Sequence, residues 1–153
     1  MVGNNIKVVI TSPSDDAAFL DKYFSSIKEH ELPQNIMYFE KAGIGNWSFK
    51  ADGMNYSISM IKPCRLCNEL AAGNNFGIII ANIDNKDEKY ISELKNIHET
   101  LKKNSGNFIS NINILYDRTS LEDKTNDYIF ENYAMPIKEQ LISFSNIFKS
   151  LLE

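Results

Sequence analysis

Hydrophobic residues fall into two patterns that alternate along the chain. Short, continuous apolar runs are typical of strands buried on both faces, as in a parallel sheet, and they occupy residues 6–10, 76–80 and 112–116. Between these runs, apolar residues recur every three or four positions, which predicts helices that begin near Ser14 or Asp15, at residue 87 and at residue 121. In the helix predicted over residues 87–103, the residues expected to face inward are Ile91, Leu94, Ile97 and Leu101.

In one further segment, apolar and polar residues alternate strictly. From residue 54 to residue 60 the even-numbered residues are apolar and the odd-numbered residues are polar, which predicts a strand with one dry and one solvated face. Asp52 and Gly53 precede this segment, and Asp-Gly favours a two-residue turn between antiparallel strands. We therefore predict a hairpin of residues 47–50 and 54–61, after a short strand at 36–39 and a loop at 43–45.

The alternation of strands and helices predicts an α/β fold. We expect a three-layer sandwich whose sheet is mostly parallel, with one antiparallel hairpin at its edge. A length of 153 residues fits a single domain spanning residues 1–153. The C-terminal part has two interpretations, because Met135, Pro136 and Ile137 form either a short strand before a final helix or part of that helix.

Composition narrows the classes of partner. The formal net charge is −4 and no stripe of lysine and arginine is present, whereas a nucleic-acid-binding domain requires clustered cations. No apolar run approaches the roughly 20 residues that span a bilayer, and the first residues lack the features of a secretory signal. We therefore expect a cytoplasmic protein with no nucleic-acid partner and no membrane span.

The two cysteines, Cys64 and Cys67, form one Cys-x-x-Cys sequence that follows a predicted strand. A redox pair, half of a zinc site and two incidental thiols are the three interpretations. A zinc site needs further ligands, and the two histidines, His30 and His98, both lie in predicted helices. Because nothing completes a site, incidental thiols are the favoured interpretation.

The order of these segments resembles the small GTPases of the Ras/Rab type over nearly the whole chain. Residues 7–10 are similar to the first strand of that family, residues 51–58 to its Asp-Gly hairpin and third strand, and residues 76–80 and 83–87 to its fourth strand and the entry to the following helix. Residues 133–139 resemble its last strand, and residues 144–152 a shortened final helix. The resemblance implies a Ras-like, P-loop NTPase-like topology.

The residues that perform chemistry in that family are different at every matching position. Its phosphate loop needs two glycines, a lysine and a hydroxyl residue, where this chain has Thr11, Asp16, Ala17 and Ala18. The magnesium-linked Asp-x-x-Gly falls on Lys-Pro-Cys-Arg at 62–65, and the guanine-binding Asn-Lys-x-Asp falls on Asp-Arg-Thr-Ser at 117–120. The resemblance therefore implies a pseudo-GTPase with no catalytic residues, no cofactor, no metal and no bound nucleotide.

A domain of this family without its chemistry implies a scaffold or adaptor that binds a protein partner. In a Ras-like fold Trp47 lies beside the effector-binding edge, and tryptophan is favoured at interface hot spots. Trp47, Phe49 and Tyr56 are the candidate partner-binding residues, and the hairpin strand is a candidate edge for a partner strand. The other interpretation of Trp47 is an anchor in the core.

A second family gives an alternative function. Residues 15–24, 42–46 and 80–84 resemble a Toprim-like domain, which holds Mg²⁺ for phosphodiester chemistry with a glutamate and an Asp-x-Asp sequence. Here the glutamate is missing, and the second element reads Asn82-Ile83-Asp84. The alternative is thus a phosphodiester-processing or nucleic-acid-associated domain with a degenerate metal site, in which Asp84 and Asp16 are the candidate ligands.

Overall fold

The computed structural model describes residues 5–31, 37–39 and 43–152, with side chains described for these residues except 31, 37–39, 106–111, 120, 145 and 147–152. The strands are β1 (Asn5–Thr11), β2 (Met37–Phe39), β3 (Ile44–Ala51), β4 (Met54–Ile61), β5 (Asn74–Asn82) and β6 (Ser105–Tyr116). The α-helices are α1 (Ala17–Glu31), α2 (Asn68–Ala71), α3 (Glu88–Lys103), α4 (Arg118–Glu122), α5 (Asn126–Ile129) and α6 (Met135–Leu152). Short 3₁₀ turns cover Ser14–Asp16 and Pro63–Arg65, and a π-helical turn covers Phe130–Ala134.

The six strands form one mixed sheet in the order β2-β3-β4-β1-β5-β6. The strands β4, β1, β5 and β6 are parallel, and β3 is antiparallel to both β2 and β4. An α/β fold with a mostly parallel sheet is therefore confirmed. The prediction that the hairpin forms the edge is wrong, because β2 pairs with the outer side of β3 over residues 44–46.

The hairpin itself is confirmed, including its place beside β1. Met54 pairs with Ala51, and Ile6 pairs with Tyr56 in the neighbouring parallel ladder. Asp52 and Gly53 have φ angles of 54° and 75°. Two central residues with positive φ give a turn whose twist matches that of the flanking strands, which explains why Asp-Gly is placed there.

Side chains alternate across the sheet and create two cores. Ile6, Val8 and Ile10 join the larger core with α1 and α6, whereas Val9 joins a smaller core with α2 and α3. Helices therefore cover both faces of the central strands, as the apolar runs predict. No helix in the described ranges is both long enough and apolar enough to cross a membrane.

The predicted set of inward-facing residues of α3 is wrong at its first member, Ile91. Tyr90, Ile97 and Leu101 are buried, Leu94 is half-buried, and Ile91 is 38% exposed. Tyr90 occupies the inward position because its hydroxyl reaches two polar partners at the end of the sheet, which an isoleucine does not bind.

The C-terminal segment is helical, so the interpretation of residues 133–139 as a last strand is wrong. The π-helical turn leads directly into α6, and Pro136 is the second residue of that helix. Proline lacks an N–H and its ring crowds the carbonyl four residues earlier, which here belongs to Asn132 inside the wider π-helical turn. A single π-helical turn interrupts the regular hydrogen-bond ladder without ending the helix, and α6 continues through Pro136. The strand β6 is therefore the last strand of the sheet.

Candidate functional site

The loop between β1 and α1 lies where ligands bind in many parallel α/β proteins, at the carboxyl ends of the strands. The strand β1 ends at Thr11, and a 3₁₀ turn over Ser14–Asp16 leads into α1. This is the segment that the resemblance aligns with a phosphate loop. Its geometry therefore decides which chemistry is available here.

Asp16 is the centre of a polar cluster in this loop. Its side chain is 1% exposed. One carboxylate oxygen, Oδ2, accepts a hydrogen bond from the Tyr90 hydroxyl at 2.5 Å, and Oδ1 accepts one from the Tyr116 hydroxyl. The Tyr90 hydroxyl in turn accepts a hydrogen bond from the backbone N–H of Asn82 at 2.6 Å. The cluster joins the start of α1 to α3, β5 and β6.

Burial sets the protonation behaviour of the cluster. Burial raises the pKa of Asp16, and Asp15 raises it further, whereas the hydrogen bonds from Tyr116 and Tyr90 and from the Asn82 backbone lower it. Burial also raises the pKa of Tyr90 and of Tyr116, and the bond to Asp16 adds to both shifts. Both tyrosines are therefore neutral donors at physiological pH, which is what a carboxylate acceptor requires.

A second carboxylate binds the same loop from α3. Glu93 Oε1 accepts hydrogen bonds from the backbone N–H of Ser14 at 2.5 Å and from the Ser14 hydroxyl at 2.7 Å. The Thr11 hydroxyl donates to the Ile61 carbonyl at 2.7 Å, and the Ser12 hydroxyl donates to the Pro13 carbonyl at 3.0 Å. These donors of the loop are thus engaged by oxygens of the protein itself. In a phosphate loop, the corresponding groups bind the oxygens of a ligand.

The other positions aligned with GTPase motifs lie in separate, ordinary structures. Residues 62–65 include the 3₁₀ turn Pro63–Arg65, and Lys62 Nζ lies 3.2 Å from Asp21 Oδ1. Arg118 Nε lies 2.6 Å from Glu122 Oε1 in an exposed pair on α4. These contacts are ion pairs between side chains of the protein itself.

The three candidate partner-binding residues lie close together, but two of them are buried. Trp47 is 5% exposed and packs edge-on against Phe24, with ring centroids 5.7 Å apart. Tyr56 is fully buried, and its hydroxyl donates to the Leu141 carbonyl at 3.2 Å. Phe49 is half-buried and stacks on Tyr56 at 4.6 Å. As placed here, Trp47 and Tyr56 act as core anchors, and Phe49 alone of the three retains exposed surface.

Of the residues of the Toprim-like alternative, Asn82 acts as a cap in the turn that follows β5, and the nearby Asp87 caps α3. Asn82 Oδ1 accepts from the Asp84 N–H at 2.9 Å, and Asp87 Oδ1 accepts from the Lys89 N–H at 3.0 Å at the start of α3. Asp84 is exposed, whereas Asp16 is buried against two tyrosines. Among the residues that the structure describes, no group of three or more His, Cys, Asp or Glu side chains is placed to hold a metal ion.

The cysteines and histidines are also separate from the cluster. Cys64 and Cys67 are exposed free thiols, in the 3₁₀ turn and directly before α2. His30 Nδ1 lies 2.8 Å from the Ser26 carbonyl and its Nε2 lies 2.7 Å from Asp127 Oδ1. His98 is partly buried, and burial lowers its pKa.

Sequence reasoning places Asp16 in this loop but misses Tyr90, Tyr116 and Glu93. A tyrosine on the inward face of a helix or strand is typical of a core residue, which accounts for the two rings and not for their hydroxyls. One signal in the sequence was available: Tyr116 is the last residue of an apolar run, and a buried tyrosine at a strand end brings a hydroxyl that needs a polar partner.

Comparison with known proteins adds no further assignment. The sequence matches no protein-family model, and no curated protein is significantly similar to it. Function is therefore inferred from the geometry of the site and the order of the strands.

Proposed function

We propose that this chain is a small-GTPase-like domain without nucleotide chemistry, and that it acts as a scaffold or adaptor for a protein partner. The resemblance requires an antiparallel hairpin beside the first parallel strand, and β3 and β4 have that position next to β1. The parallel strands β5 and β6 follow on the other side of β1. The helix in place of a last strand is a departure from the family pattern.

The observation that carries the proposal is the buried carboxylate of Asp16. A phosphate loop wraps its backbone donors around anionic oxygens. Here a glycine position of the loop holds an anionic side chain fixed by two tyrosine hydroxyls, and Glu93 binds the N–H of Ser14. Two carboxylates therefore lie where a polyphosphate would bring three or four negative charges. At a separation of about 4 Å, each pair of like charges opposes binding by about 1 kcal/mol in water and by about 4 kcal/mol in a less polar site.

The first test measures nucleotide binding. Purified protein should contain no GDP or GTP, and adding either with Mg²⁺ should leave the melting temperature unchanged. A ligand present at a hundred times its dissociation constant stabilises a protein by about 2.7 kcal/mol, which corresponds to about 5–10 °C for a domain of this size. A shift of that size would refute the proposal. A conventional small GTPase stripped of nucleotide provides the positive control.

The second test concerns the partner. Quantitative affinity purification from the cells of origin should recover a protein in constant proportion to this chain. The variant Phe49→Ser alters the one candidate residue with exposed surface, and it should reduce that recovery. Met135→Ser is the matched control, because Met135 is an exposed apolar residue on α6. If no protein is recovered in constant proportion, or if both variants reduce recovery equally, this adaptor surface is wrong.

A further inference from the structure

The strand β6 forms an unusual edge of the sheet. Its twelve residues contain neither a charged residue nor a proline, whereas β2 at the opposite edge has three residues. The pairing with β5 shifts register between Ser105 and Ser110, so the regular part of the strand is residues 110–116. Within the described ranges, no strand pairs with the outer side of β6. Natural edge strands are normally protected by lysine, by proline, by a bulge or by short length. Residues 110–116 contain none of these features, so this part of the β6 edge offers backbone donors and acceptors to another strand.

Exposed apolar side chains lie beside this edge. Leu115 is 51% exposed on the face of β6 opposite the buried Ile114, and it pairs in register with Ala81. Ile83 is 50% exposed, and its N–H donates to the Tyr116 carbonyl at 2.9 Å. The two exposed residues are thus neighbours at the carboxyl ends of β5 and β6. Both are on the side of the sheet covered by α3.

Ile91 on α3 extends this apolar surface. Glu93 marks the side of α3 that faces β1, because it binds Ser14. Helical spacing places Ile91 on the opposite side of the helix, towards β6. Tyr90 reaches Asn82, so the first turn of α3 lies level with the end of β6. Three of the four large apolar residues that are exposed among the described side chains therefore surround the β6 edge.

We propose that the β6 edge pairs with β6 of a second copy of this chain, antiparallel about a two-fold axis near Ile114. This inference does not depend on the proposed function. An uncharged strand can lie opposite its own copy without bringing like charges together. The axis pairs Leu115 of one copy with Asn113 of the other and brings the apolar surfaces of both copies into contact. A two-fold contact uses the same surface of both copies, so the surface is fully occupied in a dimer and no fibre can grow from it.

The charges on α3 match the same arrangement. Glu88 and Lys95 are exposed and lie one turn before and one turn after Ile91, on the same side of the helix. Two-fold symmetry about an axis beside Ile91 makes the two α3 helices antiparallel. Glu88 of each copy then lies opposite Lys95 of the other, so opposite charges meet twice. A parallel arrangement would instead align Glu88 with Glu88.

Sedimentation velocity of the full chain over a concentration series tests the proposal. We expect a reversible monomer–dimer equilibrium, and Leu115→Lys should raise the dissociation constant by about tenfold or more, which corresponds to about 1.4 kcal/mol. Met135→Lys is the matched control, because it places the same charge at an exposed apolar residue of α6, and it should leave the equilibrium unchanged. Circular dichroism checks that both variants fold.

If Leu115→Lys does not fold, exchanging the charges of Glu88 and Lys95 tests the dimer instead. Glu88→Lys alone should weaken the dimer, and the double variant Glu88→Lys/Lys95→Glu should restore it, because both symmetric pairs are then re-formed with reversed signs. Monomer at all concentrations would overturn the proposal. A dimer that is insensitive to Leu115→Lys would also overturn it, as would pairing of this edge only with a different protein.

Discussion

Replacing Tyr116 with phenylalanine removes one hydroxyl from the Asp16 cluster and leaves the aromatic ring in place. The ring stacks on Phe19 with centroids 3.9 Å apart, and phenylalanine retains that contact. The lost interaction is a hydrogen bond to a buried carboxylate, and such bonds contribute about 1.5–3 kcal/mol. At neutral pH we expect the free energy of unfolding of Tyr116→Phe to fall by about 2 kcal/mol, which lowers the melting temperature by about 4–8 °C in a domain of this size.

The loss of stability in Tyr116→Phe should be larger at high pH than at low pH. Because burial raises the pKa of Asp16, its contribution to stability is largest below its unfolded pKa and decreases as pH rises through the folded pKa. The Tyr116 bond lowers that folded pKa. Tyr116→Phe therefore raises it further, and the variant loses more stability than the wild type as pH increases. At acid pH the bond that the variant loses is one to a neutral carboxyl, and its loss should reduce the free energy of unfolding by about 1 kcal/mol.

Urea unfolding at neutral and at mildly acidic pH measures both effects. Fluorescence of Trp47, the single tryptophan, reports on the same core, and far-UV circular dichroism reports on the helices. Tyr128→Phe is the control, since the Tyr128 hydroxyl has no hydrogen-bond partner among the described side chains and its removal should change stability little. A loss below about 0.5 kcal/mol for Tyr116→Phe would refute the hydrogen bond to Asp16, and an equal loss at both pH values would refute the effect of that bond on the pKa of Asp16.

Two further predictions concern a strained loop and an exposed ion pair. Gly43 and Gly53 both have positive φ, but a Cβ at Gly43 would lie 3.0 Å from Arg65 Cγ, whereas a Cβ at Gly53 would meet nothing within 4 Å. Gly53→Ala should therefore reduce the free energy of unfolding by about 1–2 kcal/mol and Gly43→Ala by more, and equal losses in urea unfolding would contradict this contact. The bond to the Ser26 carbonyl raises the pKa of His30, and Asp127 raises it further. The contribution of His30 to the free energy of unfolding is therefore complete below the unfolded pKa of histidine, and it is lost as pH rises through the raised folded pKa. Asp127→Asn should lower the pKa of His30 in an NMR titration; an unchanged pKa would show that the carboxylate is not its partner.

Elements specified by neighbouring residues could be predicted from the sequence. The apolar runs of β1 and β5 and the Asp52-Gly53 turn each depend on local patterns, and each is in place. The first half of β6 could not be predicted, because residues 105–111 are mostly polar and small, and of these only Ser105, Ser110 and Asn111 pair with β5. The sequence does not distinguish a strand from a helix over residues 133–139, because their apolar spacing suits either, and the structure has a π-helical turn that leads into α6 there.

The candidate site could be predicted only at Asp16. Its two hydroxyl partners are 74 and 100 residues away in the sequence, so no local pattern connects them. The pairing follows from the crossovers that bring the first turn of α3 and the end of β6 to the same edge of the sheet. The alternation over residues 54–60 places Tyr56 on the dry face of its strand, but its contact with α6 could not be predicted, because that helix comes much later in the chain.

The central position of β1 has a consequence for how the chain folds during synthesis. The strand β1 is made before any of the other described strands, yet its two neighbours are β4 and β5, and Val8 obtains both only when Ile58 and Phe76 have been added. At about 5–20 residues per second, this strand waits several seconds for its partners. The β3–β4 hairpin needs no distant partner and can form first. Assembly is therefore expected to start at the hairpin, and β1 stays without its two neighbours until β4 and β5 have been made.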